Sequence, residues 1–243
     1  MILNYKIIMR NNIKEYSDIL KKFPKKRIVL SEEYLRIYNE HYKSNRGGEG
    51  FANKIAQKME SWMHKKVSKR KGEDILELGA GNLNHIKYEN SFKNYDIVEP
   101  FRELYENNSE LSKVRKEFNS IFEVQNKYDK IVSIATLEHL LNLPKEIIYC
   151  KNLLKKKGIL QIAVPCEGEL AFKLGWLFTT AISFKLKYNL DYSKMIKYEH
   201  VNSLHEILII LQNNFKIIKF SRSPFILPIK NLSFYAYIEC ENI

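Results

Sequence analysis

The amino-acid sequence predicts an α/β fold built on a doubly wound, mostly parallel sheet. Short apolar runs alternate with amphipathic stretches between Glu73 and Pro165, as strands and crossover helices do. A G-x-G turn directly follows the first of these runs. The chain of 243 residues is long enough for one such domain with additions, which we place in N-terminal helices and in a helical insertion after strand five.

The first 71 residues are predicted to form an N-terminal helical extension, and residues 72–243 the main domain. Apolar side chains recur here at helical spacing and define one face of a helix: Phe51, Ile55, Met59 and Trp62. We expect these helices to form one wall of a binding site, opposite the insertion.

Four segments of the central region have the length and composition of buried strands. They are Ile75–Leu78, Tyr95–Val98, Lys130–Ile134 and Ile159–Val164. An amphipathic stretch from Pro144 to Lys155 separates the last two and is predicted to be a helix. Because parallel strands need such crossovers, this order favours a parallel sheet.

After strand five, the alternation of strand and helix patterns gives way to a predicted helical insertion. Residues 168–200 form the predicted insertion, which is rich in aromatic side chains, and a helix is expected from Ser203 to Gln212. Two strand patterns, Phe215–Phe220 and Leu232–Cys240, end the chain and favour an antiparallel hairpin at the sheet edge. The insertion is interpreted as a lid, as a helix pair lying on a membrane surface, or as ordinary core packing.

The net charge of +12 has two interpretations. Basic residues are scattered along the chain, so composition alone can explain it. An anionic partner such as nucleic acid, a nucleotide-activated substrate or an anionic membrane face is the alternative. No arginine-rich arm is present, and nucleic acid is therefore not the expected partner.

Cysteine usage and apolar content predict a cytoplasmic protein. The three cysteines are widely spaced, which indicates reduced thiols rather than disulfides or a zinc site. The most apolar stretch, Leu174–Phe184, has only eleven residues and is too short to span a membrane. The N-terminus lacks the apolar core of a signal peptide. Contact with a membrane surface stays compatible with this composition.

The turn Gly79-Ala80-Gly81 carries the strongest functional signal. Glycines permit a tight turn and close approach of a ligand, and we expect the turn to open a helix whose first N–H groups face that ligand. About 18 residues beyond Gly81 the second strand ends in Glu99, the position of a carboxylate that binds a ribose diol. Together these features predict a site for an adenosine-type cofactor.

Charge discriminates among adenosine-type cofactors. Glu77 lies two residues before the first glycine, where a carboxylate would repel a diphosphate but attract an ammonium or sulfonium group. Asn84 replaces the third glycine of the dinucleotide fingerprint. Both observations favour S-adenosylmethionine over NAD or FAD. The structural alternative is a capping turn with a surface glutamate.

On these residues, the region from Glu73 to Pro165 resembles the class I S-adenosylmethionine-dependent methyltransferases. The resemblance implies a Rossmann-like methyltransferase fold with seven strands. Leu83 departs from the family, whose loop often has a third glycine at that position. The segments Glu99–Tyr105 and Tyr198–Asn202 are similar to bacterial methyltransferases of surface-polysaccharide gene sets, which modify O-antigen and capsule.

The resemblance also implies roles for individual residues. The positions that would bind the cofactor are Glu77, Gly79, Ala80, Gly81, Asn82, Glu99, Pro100, Phe101, Asn119, Ser120, Ile121, Ser133 and Ala135. The glycine turn and Glu77 would hold the methionine part, Glu99 would bind both ribose hydroxyls, and residues 119–121 would contact the adenine edge.

The acceptor chemistry points to two histidines. A sugar hydroxyl is a poor nucleophile and benefits from a general base, for which His139 and His200 are the catalytic candidates, ahead of Glu138 and Glu167. His139 is expected at the start of the helix after strand four; either histidine can instead be a packed or capping residue. For an anionic acceptor, basic side chains would matter more than a base: Arg46, Lys173 and Arg222.

No metal is predicted, because strand four ends in Ser133 rather than in the aspartate of metal-dependent catechol-type members. The sequence thus predicts a methyltransferase that modifies an oxygen of a sugar, or of a phosphorylated or phosphoramidate intermediate, in capsule or lipopolysaccharide biosynthesis. The alternatives are an RNA or small-metabolite methyltransferase and a non-catalytic adenosine-binding scaffold.

Overall fold

A seven-stranded sheet forms the centre of the computed structural model, which describes residues 13–44, 60–166, 181–223 and 233–242. The strands are β1 (Asp74–Leu78), β2 (Asn94–Val98), β3 (Lys116–Phe118), β4 (Tyr128–Ile134), β5 (Leu154–Pro165), β6 (Lys216–Ser223) and β7 (Tyr235–Glu241). Their order is β3-β2-β1-β4-β5-β7-β6. The first five strands are parallel, and β7 runs antiparallel to both β5 and β6. The predicted sheet and its C-terminal hairpin are confirmed.

Helices cover both faces of this sheet. They are α1 (Ile13–Leu20), α2 (Glu32–Ser44), α3 (60–67), α4 (Leu143–Leu153), α5 (Ile182–Tyr188), α6 (Tyr192–Glu199) and α7 (Leu204–Asn214). The helix predicted from Ser203 is confirmed: Ser203 is the N-cap of α7, and Glu206 returns a hydrogen bond to the Ser203 backbone in a capping box.

Successive side chains along a strand point to opposite faces of the sheet, and a separate hydrophobic core lies on each face. Leu76 of β1 packs into a cluster with residues of α4 and α7, whereas its neighbour Ile75 packs on the other face with Met63 and Val67 of α3. The central strands are buried on both faces, as a doubly wound sheet requires. The carboxyl ends of β1, β2 and β4 therefore meet at one edge of a rigid layer.

The prediction that Gly81 opens a helix is wrong. Residues 81–85 form a series of turns, and a single 3₁₀ turn, Ile86–Tyr88, follows. The physical reason is the left-handed backbone of Leu83, with φ = 61°, which a right-handed helix cannot contain.

The position predicted for His139 is also wrong, because α4 begins only at Leu143. His139 ends a short 3₁₀ turn, Leu137–His139, and Leu140 after it is extended at φ = −74° and ψ = 120°. The chain then re-enters a helix with Pro144 in the first turn, where the missing N–H of proline removes no helical hydrogen bond.

Some predictions concern residues outside the described ranges. They are the helical face of Phe51, Ile55 and Met59, the first part of the insertion, and the candidates Arg46, Glu167 and Lys173. Within the ranges that are described, no helix is both long enough and apolar enough to cross a membrane. Cys150, Cys166 and Cys240 are buried, and none of them forms a disulfide bond in the part of the chain that the structure describes.

Candidate active site

The glycine turn lies where β1 ends, between the ends of β2 and β4. Gly79 N donates a hydrogen bond to Val98 O at 2.8 Å, which ties the turn to β2. The φ of Gly79 is 76°, and a Cβ at this position would lie 2.2 Å from Thr136 Oγ1. Only glycine therefore permits the contact between this turn and the segment that follows β4.

Leu83 stands where a third glycine would be expected, and it adopts the left-handed conformation that glycine favours. Its N–H donates to Ala80 O at 2.9 Å, and its side chain is only 1% exposed. Burial of this side chain offsets the backbone strain, so the turn closes without the glycine.

Glu99 ties the end of β2 to the glycine turn. Its Oε2 accepts a hydrogen bond from Gly81 N at 2.8 Å, and its Oε1 accepts one from Phe101 N at 3.1 Å. Because each carboxylate oxygen has two lone pairs, both oxygens keep the capacity to accept a ribose hydroxyl. The carboxylate is thus held by backbone groups at the position that the sequence predicted.

Glu77 is buried below the turn, with 2% of the residue exposed. Tyr95 donates its hydroxyl to Glu77 Oε2 at 2.7 Å. Burial raises the pKa of Glu77 to about 8, although this hydrogen bond opposes the shift. A cation placed beside such a carboxylate would stabilise its charged form. The buried acid and the glycine cradle at Gly79 therefore fit an adenosine cofactor that carries positive charge.

The segment after β3 is only partly suited to contact a cofactor. Ser120 caps the 3₁₀ turn Ile121–Glu123, and Asn119 N donates to Glu123 Oε2 at 3.2 Å. The side chain of Ile121 is 2% exposed and belongs to the core cluster of α4 and α7. This side chain therefore packs in the core.

The remaining predicted cofactor residues lie around the same edge of the sheet. Ser133 is fully buried in β4, and its Oγ has no hydrogen-bond partner in the described structure. Ala135 is left-handed, with φ = 50°. Asn82 O accepts a hydrogen bond from Asn108 at 2.6 Å. Two further residues, Pro100 and Phe101, are exposed beside Glu99.

The two catalytic candidates are in contact. The rings of His139 and His200 have centroids 4.9 Å apart and meet edge to face. His139 Nδ1 lies 2.9 Å from Glu199 O, and since a carbonyl only accepts, Nδ1 carries the proton of the neutral ring. His139 Nε2 lies 3.8 Å from Glu138 Oε1. Burial, reinforced by the neighbouring His200, lowers the pKa of His139 to about 4.

Backbone hydrogen bonds hold these histidines in place. Glu138 O accepts from Val201 N at 2.8 Å and from Asn202 N at 3.0 Å. The buried amide of Asn202 donates to Leu137 O at 2.8 Å and Leu140 O at 2.7 Å. The turn 137–140 and the segment 198–202 are thereby joined into one unit.

Arg27 adds a further brace that the sequence did not indicate. Its guanidinium donates to Tyr198 O at 2.5 Å, Glu199 O at 3.3 Å and His139 O at 3.4 Å. Nothing in the local pattern around Arg27 indicates this role, because all three acceptors are backbone carbonyls of distant segments.

A basic pocket of about 460 Å³ opens beside His200, and we call it the lysine pocket. Its walls are Lys22, Pro24, Lys25, Lys26, Lys197, His200 and Val201. Lys22 and Lys25 share the carboxylate of Glu206, at 3.4 Å and 2.7 Å, whereas Lys26 and Lys197 are exposed. Arg222, a predicted anion-binding residue, lies on the edge strand β6 and does not line this pocket.

Comparison with known proteins, like the geometry of the site, indicates a methyltransferase. The family model of a methyltransferase domain matches residues 51–219, more than half of the chain. A search of curated proteins finds no match. Solved structures give many matches, of which three are described below.

The N-methyltransferase NodS from Bradyrhizobium japonicum, in complex with S-adenosyl-L-homocysteine, is 10% identical over 87% of this chain and 99% of that chain, with a TM-score of 0.56. A SAM-dependent methyltransferase from Thermotoga maritima is 14% identical over 88% of this chain and 100% of its own, with a TM-score of 0.54. Magnesium protoporphyrin IX methyltransferase from Synechocystis is 12% identical over 87% and 94% of the two chains, with a TM-score of 0.52. At these identities the similarity establishes the fold.

Proposed function

The chain belongs to the methyltransferase-domain family, and from this premise we propose that it uses S-adenosylmethionine to methylate an oxygen of a sugar or phosphorylated acceptor. The acceptor is an intermediate of capsule or lipopolysaccharide biosynthesis, with a sugar hydroxyl, a phosphate oxygen or a phosphoramidate oxygen as the nucleophile. Membership of the family makes the chain an S-adenosylmethionine-dependent methyltransferase, as predicted. The proposal concerns the class of acceptor.

The lysine pocket is the observation that best supports a phosphorylated acceptor. Four lysines surround it, and among its neighbours Glu206 pairs with two of them, which leaves the pocket positively charged. Such a pocket attracts a phosphate group. Because His200 is one of its walls and touches His139, an acceptor anchored there by phosphate would present its oxygen at the two histidines.

The glycan context is supported by where the pocket lies in the sequence. The segment Tyr198–Asn202, which resembles the polysaccharide methyltransferases, supplies His200 and Val201 to the pocket wall. The segment Glu99–Tyr105, which resembles them as well, begins at the predicted ribose ligand.

The chain's own residues would hold and orient both reactants. When bound, S-adenosylmethionine supplies an electrophilic methyl group. Glu99 would accept hydrogen bonds from the ribose diol, and Glu77 would face the positive charge of the donor. His139 Nε2, in a ring fixed through its Nδ1–H, would accept a hydrogen bond from an acceptor hydroxyl and thereby orient its lone pair for attack.

The test is a screen for S-adenosylhomocysteine formation with sugar phosphates, nucleotide-sugars, neutral sugars and RNA as acceptors. We expect turnover with a phosphorylated acceptor. In the double variant Lys26→Ala/Lys197→Ala, the KM for the phosphorylated acceptor should be about 10-fold higher, with little change in kcat. A 10-fold change in KM corresponds to about 1.4 kcal/mol of binding free energy.

Lys156→Ala is the matched control, because this exposed lysine lies near the beginning of β5, away from the carboxyl ends of the strands. Turnover with RNA alone, with a steep dependence on salt, would support the RNA methyltransferase alternative instead. Cofactor binding without turnover of any acceptor would support the scaffold alternative.

A further inference from the structure

Glu138, His139 and His200 form a cluster whose donor atoms suit a metal ion. Each offers one ligand atom, and these atoms all lie within 4.8 Å of one another. Two imidazole nitrogens with one carboxylate oxygen are a donor set of zinc and related divalent metals, whereas magnesium and calcium prefer oxygen ligands. We propose that these three residues bind one divalent metal ion of the zinc class.

The orientation of the His139 ring supports a metal ligand. Its Nδ1–H donates to Glu199 O at 2.9 Å, so that the lone pair of Nε2 points away from that bond. Nε2 lies 3.8 Å from Glu138 Oε1. With the His139 ring neutral, Nε2 and the carboxylate oxygen can each donate an electron pair to one cation placed between them. Metal-binding histidines typically donate their other N–H to a backbone carbonyl, as this ring does.

The backbone of the site is already in position. Glu138 O accepts hydrogen bonds from Val201 N and Asn202 N, which fix the chain next to His200, and Arg27 braces His139 and Glu199. Ligand atoms on a tetrahedral zinc ion are about 3.3 Å apart. The three donor atoms lie within 4.8 Å of one another, so they must approach each other by up to about 1.5 Å to reach this spacing, a change of the size that side-chain rotation supplies.

Three protein ligands leave a coordination position open, as in catalytic rather than structural metal sites. His200 borders the lysine pocket, which provides an entry path for the ion. The positive charge of the lysines weakens the binding of a cation without preventing it, and an anionic acceptor in the pocket would offset this repulsion. In that role, which rests on the proposed function, the metal would take the place of the hydrogen bond at His139 Nε2: it would bind the acceptor oxygen directly and lower the pKa of a hydroxyl.

The sequence predicted no metal because strand four ends in Ser133 and not in an aspartate. The cluster found here has one carboxylate and two histidines, and the second histidine comes from a distant segment. The comparisons with known proteins do not test the prediction of no metal. A measurement of metal binding decides between that prediction and the site proposed here.

The test is titration of the metal-stripped full chain with Co²⁺, followed through the visible absorption bands of a four- or five-coordinate site. We expect one Co²⁺ per chain. His139→Ala and His200→Ala should each weaken binding at least about 100-fold, since even indirect partners of metal ligands contribute 10- to 100-fold. His205→Ala is the matched control, because His205 is exposed and pairs with Glu15.

Folding of each variant is checked by circular dichroism and by S-adenosylhomocysteine binding, which neither substitution should abolish. His200→Ala keeps the test decisive if His139→Ala does not fold, because His200 is only half-buried. Absence of the Co²⁺ bands in the wild type, or equal affinity in the wild type and His200→Ala, would overturn the proposal. The titration uses neither methyl donor nor acceptor, so its result is separate from the acceptor screen.

Discussion

Replacement of Glu99 by alanine tests the cofactor site through a carboxylate that accepts hydrogen bonds from two backbone N–H groups. The substitution removes the hydrogen bonds from Gly81 N at 2.8 Å and from Phe101 N at 3.1 Å. Hydrogen bonds to a charged group contribute about 1.5–3 kcal/mol each. Since Phe101 is exposed and its N–H can bind water instead, we expect a loss of about 1.5–3 kcal/mol in unfolding free energy, mostly from the turn.

The effect on cofactor binding has a separate origin. The carboxylate is the only group that we assign to the ribose diol, and its loss should weaken S-adenosylhomocysteine binding by about 1–3 kcal/mol. That corresponds to a dissociation constant about 5- to 150-fold higher. Isothermal titration calorimetry measures this constant, and circular dichroism verifies that the variant is folded.

Two variants sharpen the interpretation. Glu103→Ala changes the net charge equally but removes an exposed side chain near Glu99, so its affinity should equal that of the wild type. Glu99→Gln keeps the shape, yet its amide N–H₂ would meet one of the two backbone donors and should also weaken binding. A folded Glu99→Ala variant with wild-type affinity would refute the ribose assignment.

Three further substitutions test the site and its supports. In Glu77→Gln, the pH dependence of stability should flatten: the raised pKa of Glu77, about 8 against 4.5, means that its contribution is fully present below pH 4.5 and lost as the pH rises through 8. The unfolding free energy, measured by urea titration, should therefore rise in the variant relative to the wild type by at least about 1 kcal/mol between pH 5 and pH 9. The same difference in unfolding free energy at both pH values would contradict this. Gly79→Ala should cost about 2 kcal/mol or more in thermal unfolding, because its Cβ would clash with Thr136; a wild-type Tm would show that the turn can shift. Ser203→Ala should lower the unfolding free energy measured in urea by about 1 kcal/mol through loss of the α7 cap, and an unchanged value would contradict this role of Ser203.

Local patterns predicted the architecture because the strands are buried on both faces. Continuous apolar runs such as Ile75–Leu78 can be satisfied only in the middle of a covered sheet, and the alternation with helices leaves few topologies. The glycine turn and Glu99 were predictable for a similar reason, since both positions follow directly from strand ends.

Local backbone conformation was predicted less well. The expected helix after Gly81 is absent because Leu83 is left-handed, and the conformational preference of leucine itself does not predict this. The strain costs about 1–2 kcal/mol and is offset by burial in the tertiary structure, which periodicity does not reveal.

The sequence by itself determined the sheet, the order of its elements and the two acidic residues at the ends of β1 and β2, because these depend on hydrophobic burial and on spacing along the chain. Only the tertiary structure decided which side chains meet at the acceptor side. His139 and His200 come together through hydrogen bonds between the turn 137–140 and the segment 198–202, and the lysine pocket combines residues 22–26 with residues 197–201. Such contacts depend on how distant backbone segments satisfy one another's polar groups, and no local pattern encodes that choice.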